Sequence, residues 1–324
     1  MQKLVIAIVF ALTAVGAQAQ PVVYPNKPVR VISDSSAGSA VAVGLRVIFD
    51  GMSRHWNQQV VVVNHPGAAG SISARVASQA APDGYTLFAP ALSLFLAVPG
   101  KAPNLPLMVP RDFAAIGYTL DQPLAIGVSP ALGVNSLAEL IALAKKQPGK
   151  LSYAVTGVGR LTHLTGELLQ LRTGIQLQMV PYSGGSAQAF TDVVAGRIPI
   201  VIEGYTGMAE LFKAGTIKPL AIAAPKRIPA APNLPTVAET IPGLVASGWQ
   251  AVLAPSGTPD AAIKVASAAL RAALNMPEVR DTLANRGSFV RAMTPEEVTQ
   301  FIRDQQAQWK PAIDRIAAQT APAK

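Results

Sequence analysis

The stretch "VISDSSAGSAVAVGLR", Val31 to Arg46, reads as a strand, a small polar loop and the start of a helix. At such a junction the first helical N–H groups have no partner within the helix. The helix dipole adds partial positive charge there, so the loop can receive an anion. A nucleotide-phosphate loop would read GxxxxGK[ST]; here five residues separate Gly38 from Gly44, and Leu45 stands where the lysine would be. The phosphate reading fails, and the junction is left with some other anion.

Three further stretches share this grammar: "NHPGAAGSISARVA" (Asn64 to Ala77), "YAVTGVGRLTHLTGELL" (Tyr153 to Leu169) and "VPYSGGSAQAFTDVVAG" (Val180 to Gly196). Each is weak alone, and Gly157-x-Gly159 lacks the third glycine of a dinucleotide fingerprint because Thr162 stands there. Strand-like runs are read at 29–33, 60–64, 86–90, 114–120, 124–129, 176–180, 198–203, 218–223 and 250–255. Ser136 with Glu139 predicts a capping box opening a helix that ends before Pro148-Gly149. Thr294-Pro295-Glu296-Glu297 opens a terminal helix whose stripe is Phe301, Ile302, Trp309, Ile313 and Ile316. Strands alternating with helices predict an α/β fold with parallel-rich sheets covered on both faces, binding ligands at the carboxyl ends of the strands.

A chain of 324 residues is long enough for two domains. Half of the residues are hydrophobic and 14% are charged, which excludes a disordered chain. No long flexible linker separates two parts, so short crossings are expected at an Asp121-Gln122-Pro123 turn and near Ser247-Gly248. Lys3, the apolar run Leu4 to Val15 and Ala17-Gln18-Ala19 form the pattern of a cleavable secretory signal over residues 1–19. The absence of cysteine excludes disulfides and thiol lipidation. The formal net charge of +9 is dispersed, without interleaved aromatic and basic residues, so a nucleic-acid partner is not expected.

No HExxH, GxSxG or cysteine nucleophile is present, and His55, His65 and His163 lack metal-ligand spacing. No catalytic residue, metal or cofactor is therefore assigned. His163 is expected to make a structural hydrogen bond near a helix start. Sequence order alone leaves room for a hydrolase assembled from distant Ser, His and Asp residues.

Taken in order, "NHPGAAG", "APDGYTL", "TGVGRLTHLTGEL", "VPYSGG", "AGRIPIVIEGY", "LPTVAET" and "LAPSGTP" closely resemble the tripartite tricarboxylate transporter receptor family, the Bug-type solute-binding proteins. The resemblance implies a type II periplasmic-binding-protein fold, with two α/β lobes around a ligand cleft joined by two short crossings. Lobe 1 would comprise residues 20–122 and 247–324, and lobe 2 residues 123–246. The implied ligand is a small organic carboxylate, such as a dicarboxylate, tricarboxylate or aromatic acid. The implied partners are membrane subunits of a tripartite tricarboxylate-type transporter, and the receptor would be a periplasmic monomer.

The implied site takes Ser35, Ser36, Gly38, Ser39, Ala40 and Ser93 from one lobe. From the other it takes Thr156, Gly157, Gly159, Arg160, Thr162, Tyr182, Ser183, Gly184, Gly185 and Glu203. Backbone N–H groups and hydroxyls can hold a carboxylate without a lysine. Arg160 either pairs with a second carboxylate or lies exposed at the rim, and Glu203 either meets a ligand hydroxyl or water or caps the next turn. The family's first loop usually reads PGGxxD, and here Gly38, Ser39 and Ala42 occupy its glycines and its acid. The acid is missing.

Overall fold

A computed structural model describes residues 24–35, 37, 39–67, 70–96, 106–182 and 185–320. The expected signal at 1–19 and the candidates Ser36, Gly38, Ser183 and Gly184 lie outside the described residues, as does the side chain of Ala40.

Strands β1 (Val29–Ser33), β2 (Val60–Asn64) and β3 (Thr86–Ala89) run parallel, with β1 between the other two. They lead into α1 (Ala40–Trp56), α2 (Ser71–Ser78) and a 3-10 turn at Leu92–Phe95. Strand β4 (Phe113–Val128) follows, then α3 (Leu137–Lys146). A second parallel set comprises β5 (Ser152–Val155), β6 (Gln178–Pro181) and β7 (Ile200–Gly204), followed by α4 (Leu161–Thr173), α5 (Ser186–Val194) and α6 (Tyr205–Lys213). The chain closes with β8 (Lys218–Ile222), α7 (Val237–Thr240), β9 (Ser247–Pro255), α8 (Asp260–Asn275), α9 (Pro277–Ala284), β10 (Phe289–Val290) and α10 (Pro295–Thr320).

The strand order is β2-β1-β3-β9-β4-β7-β5-β6, with β8 and β10 also paired to β4. Antiparallel β9 and β4 therefore bridge two parallel sets of opposite sense. The expected turn at Asp121-Gln122-Pro123 is not a turn: β4 continues through it as one strand of 16 residues, its register to β9 shifting between Tyr118 and Asp121. Its first part pairs with β9, from Phe113↔Pro255 to Pro123↔Ser247. Its second part pairs with β7, from Leu124↔Gly204 to Val128↔Ile200, and with β8 on the other side. Proline lacks a donor, and Pro123 is the last β4 residue in register with β9, opposite Ser247. Ser247-Gly248 opens β9 beside it.

This register places the future site. The β3 exit bridges to β9 at Ala91↔Gln250, beside the residues that pair with Tyr118 and Asp121. The β7 exit pairs Gly204 with Leu124. Both parallel sets thus point their carboxyl ends at the middle of β4, from opposite sides.

One core lies between α1, α8 and the sheet, around Phe49, Met52, Leu87 and Leu270. Another, around Tyr182, Met208, Ile217 and Ile222, lies in the second half. The largest is continuous across the middle of β4 and runs from Phe88 and Phe95 through Trp249 and Trp309 to Leu164 and Ile200. Helix α10 supplies its bridge: Val298, Ile302, Trp309 and Ile316 are buried, so the stripe read from sequence is core. The α10 cap is a complete box, Glu297 N donating to Thr294 Oγ1 at 3.2 Å and Thr294 N to Glu297 Oε2 at 2.8 Å. The α3 box is half-formed. Glu139 N donates to Ser136 Oγ, but the Glu139 carboxylate accepts from Asn135 N rather than from Ser136 N.

Candidate functional site

On the β1–β3 side the loops are tied to one another by side chains. Ser35 Oγ lies 2.7 Å from Ser33 Oγ. Asn64 at the β2 exit donates from Nδ2 to the Ser35 carbonyl at 2.9 Å and to Ser35 Oγ at 3.1 Å. Asp34 Oδ2 accepts from Ala91 N at 3.4 Å, joining the β1 exit to the β3 exit. Ser39 caps α1, its Oγ accepting from Ala42 N at 3.2 Å. That cap satisfies one orphan amide and leaves those of Ala40 and Val41 without an intrahelical partner. Ala42 is fully buried, so the position of the family acid carries only a methyl group. Ser93 sits half-buried in the 3-10 turn after β3.

Facing these, β5 exits into Thr156–Arg160. Gly157 (φ +139°) and Gly159 (φ +70°) occupy the left-handed region that admits glycine at little cost. Thr156 N donates to Thr162 Oγ1 at 3.3 Å, and Thr162 is 4% exposed, so Thr162 closes the loop from inside. Gly159 N donates to His163 Nδ1 at 3.0 Å, the structural hydrogen bond expected of that histidine. The Gly159 amide and the Thr162 hydroxyl oxygen, both expected among the ligand groups, each also make a hydrogen bond within the protein. Tyr182 is similar. Its hydroxyl donates to Asp192, which also pairs with Arg197, and its amide donates to Val155 O at 2.8 Å. Gly185, at φ +101°, precedes the first turn of α5.

Glu203 ends β7 with one carboxyl oxygen, Oε1, accepting from Gly204 N at 2.8 Å. Its Oε2 is buried and makes no hydrogen bond among the described residues. Burial pushes the Glu203 carboxyl above its ordinary pKa; Gly204 N, the nearby Thr156 hydroxyl and the exposed Arg160 guanidinium pull it down without prevailing. The protonated form, which burial favours, could donate as well as accept.

Three polar links escaped the sequence reading. Asn64 and Asp34 organise the first set of loops, and neither forms a motif with its partner. The third is a buried chain: His163 Nε2 lies 3.7 Å from Glu167 Oε1, and Glu167 Oε2 accepts from Arg315 Nε of α10 at 2.6 Å. Burial would raise the Glu167 pKa, but His163 and Arg315 outweigh it and hold the carboxylate below its ordinary value. Among the described residues, no group of three or more His, Asp or Glu side chains could hold a metal ion. No described helix is long and apolar enough to cross a membrane.

The arrangement is two sets of glycine-rich and hydroxyl-rich loops facing each other over the middle of β4, with helix starts on each side. It suits capture of a small anion better than covalent chemistry. The sequence and the fold match known proteins. Residues 44–318 match the pattern of the tripartite tricarboxylate transporter family receptor. BugT of Bordetella pertussis is 33% identical over 316 residues, covering 97% of each chain. A solved periplasmic transporter is 33% identical with a TM-score of 0.77, covering 92% of this chain and 98% of its own. R. palustris Rpa4515, solved with adipate, is 28% identical with a TM-score of 0.79, covering 91% and 98%. The fold is thus the mixed α/β fold of periplasmic binding proteins, and the chain belongs to the tripartite tricarboxylate transporter receptor family, a family of solute-binding receptors.

Proposed function

We propose that this protein captures a small organic carboxylate between the β1–β3 loops and the β5–β7 loops and delivers it to the membrane subunits of a tripartite tricarboxylate-type transporter. The observation that carries this reading is the convergence of both sets of carboxyl ends on Asp121–Pro123 of β4, from opposite sides. A ligand seated there touches both halves, so its binding energy favours the closed form over the open one. The moving units are residues 20–122 with 247–324 and residues 123–246. The free amides at the start of α1 and the loops at Thr156–Arg160 and Ser183–Gly185 grip the carboxylate. Each charge-assisted bond contributes about 1.5–3 kcal/mol. Residues 1–19 direct export and are removed, and the mature monomer works in the periplasm without catalysis or a cofactor.

A thermal-shift screen of dicarboxylates, tricarboxylates, aromatic acids and amino acids, with mass spectrometry of each mixture, tests this. Reversible stabilisation by a carboxylate that is recovered intact is the expected result. Consumption of the probe, or stabilisation by none of the acids, overturns the reading.

A further inference from the structure

Beside Val158 of the Thr156–Arg160 loop, a partly open cleft of about 380 Å³ is lined in part by His163, Glu167, Gln170, Met179 and Arg315. Val158, at the crest of the loop, is 59% exposed. With two left-handed glycines and an exposed crest, the loop depends on polar anchors for its shape.

The anchor at its centre is His163. For Nδ1 to accept from Gly159 N, the imidazole must carry its proton on Nε2, the nitrogen that faces Glu167. His163 and Glu167 are each 3% exposed. Glu167 is in turn held by Arg315 of α10, by Tyr153 Oη of β5 at 3.3 Å and by Gln170 Nε2 at 3.1 Å. The same helix grips the other half of the molecule, where Gln306 Nε2 donates to Phe95 O at 2.9 Å and Gln305 Oε1 accepts from Trp249 Nε1 at 3.2 Å. An unbroken chain of contacts thus runs from α10 through Arg315, Glu167 and His163 to a backbone amide of the loop.

We propose that His163 is a positioning residue that sets the ligand-gripping shape of the Thr156–Arg160 loop, and that Glu167 and Arg315 tie that shape to α10. This rests on the reading of the loop as one jaw of the site. His163 does not touch the ligand; it acts through Gly159. The chemistry required of position 163 is specific: an acceptor at the place of Nδ1 and a donor at the place of Nε2.

Asparagine offers an oxygen where Nδ1 stands, whereas glutamine offers an amide where Nε2 stands and no acceptor near Gly159. Amide hydrogen exchange of the unliganded mature protein, read on peptides covering 156–163, needs no ligand. H163Q is expected to speed exchange of the loop about tenfold, while H163N, which keeps the acceptor but loses the Nε2 donor facing Glu167, speeds it only about threefold. E167Q/R315M removes both charges together, leaves no buried ion, and is expected to speed exchange as well. Melting temperature, measured alongside, separates a loosened loop from an unfolded protein. Equal exchange in H163N and H163Q overturns the role of His163, and unchanged exchange in the double variant overturns the tie to α10. Titration with adipate is the second readout: H163Q is expected to weaken binding several-fold more than H163N. Failure of the parent to bind any carboxylate overturns the proposed function, while the exchange result decides the loop anchor by itself.

Discussion

Arg291 Nε donates to Asp121 Oδ2 at 2.7 Å, at the point where β4 passes from its β9 partner to its β7 partner. The guanidinium also donates to Tyr118 Oη at 3.0 Å and lies over the rings of Tyr118 and Phe301, 4.6 and 4.8 Å from their centroids. Burial raises the Asp121 pKa, with Arg291 and Tyr118 opposing it. The segment between β10 and α10 is in this way pinned to the place where the two halves meet.

Removing the cation strands a buried carboxyl. Arg291→Met is expected to cost about 1–3 kcal/mol, since it leaves the largely buried Asp121 carboxyl without its half-exposed partner. Without Arg291 the folded-state pKa of Asp121 rises further, so the native form binds a proton that the unfolded form has released. Stability then falls as pH rises, and the loss is larger at pH 8 than at pH 5. Urea melts of parent and variant at the two pH values measure it; a loss independent of pH would contradict the burial of this carboxyl.

Glu203 gives a second pH signature. Its folded-state pKa is raised above the ordinary 4.5, chiefly by burial, so the native form retains a proton that the unfolded form loses. The cost of ionising Glu203 in place is absent below pH 4.5 and grows as pH rises toward the raised value. Glu203→Gln removes it. The unliganded variant is expected to melt higher than the parent at pH 8, and the two curves should converge near pH 4. Parallel curves across that range would place Glu203 in water rather than in the protein.

Arg160 is exposed and close enough to Glu203 to act on it electrostatically. If its guanidinium meets the far carboxylate of a bound diacid, Arg160→Ala should weaken adipate by about 1.5–3 kcal/mol, or ten- to a hundredfold, and hexanoate by little. Calorimetric titration of both acids reads the difference. Equal losses would return Arg160 to the rim.

The strands at 29–33 and 60–64, the Thr294 cap and the α10 stripe were legible because each is a local pattern of period or capping. The continuous passage of β4 was not. Asp, Gln and Pro in succession carry turn chemistry, and only the partner strands show that Pro123 lies at the end of the register between β4 and β9. The loops of the site were legible as loops, but glycines and hydroxyls do not say which way an amide points. Gly159 and Thr162 read as ligand groups, and each makes a hydrogen bond inside the protein that the sequence does not announce. Asp121 with Arg291, and Glu167 with Arg315, are pairs separated by 170 and 148 residues. No window along the chain brings them together.

The most confined packing near the site lies under α4. A Cβ on Gly166 would come within 2.2–2.6 Å of the Tyr153 ring atoms Cε2, Cζ and Oη, so α4 sits on β5 as closely as a glycine allows. Tyr153 is fully buried and cannot move aside without displacing its neighbours on the sheet. Gly166→Ala must therefore lift α4 from β5 or push the ring, at a cost of about 1–3 kcal/mol. Because Thr156–Arg160 joins these two elements, the same displacement should weaken carboxylate binding. Gly133→Ala is the control: it also carries strain, at φ +75°, but a Cβ there meets nothing within 4 Å and the turn is remote from the loops. Both variants should lower the melting temperature, with Gly166→Ala alone lowering affinity for adipate. Unchanged affinity in Gly166→Ala would mean that the loop keeps its shape independently of the helix it precedes.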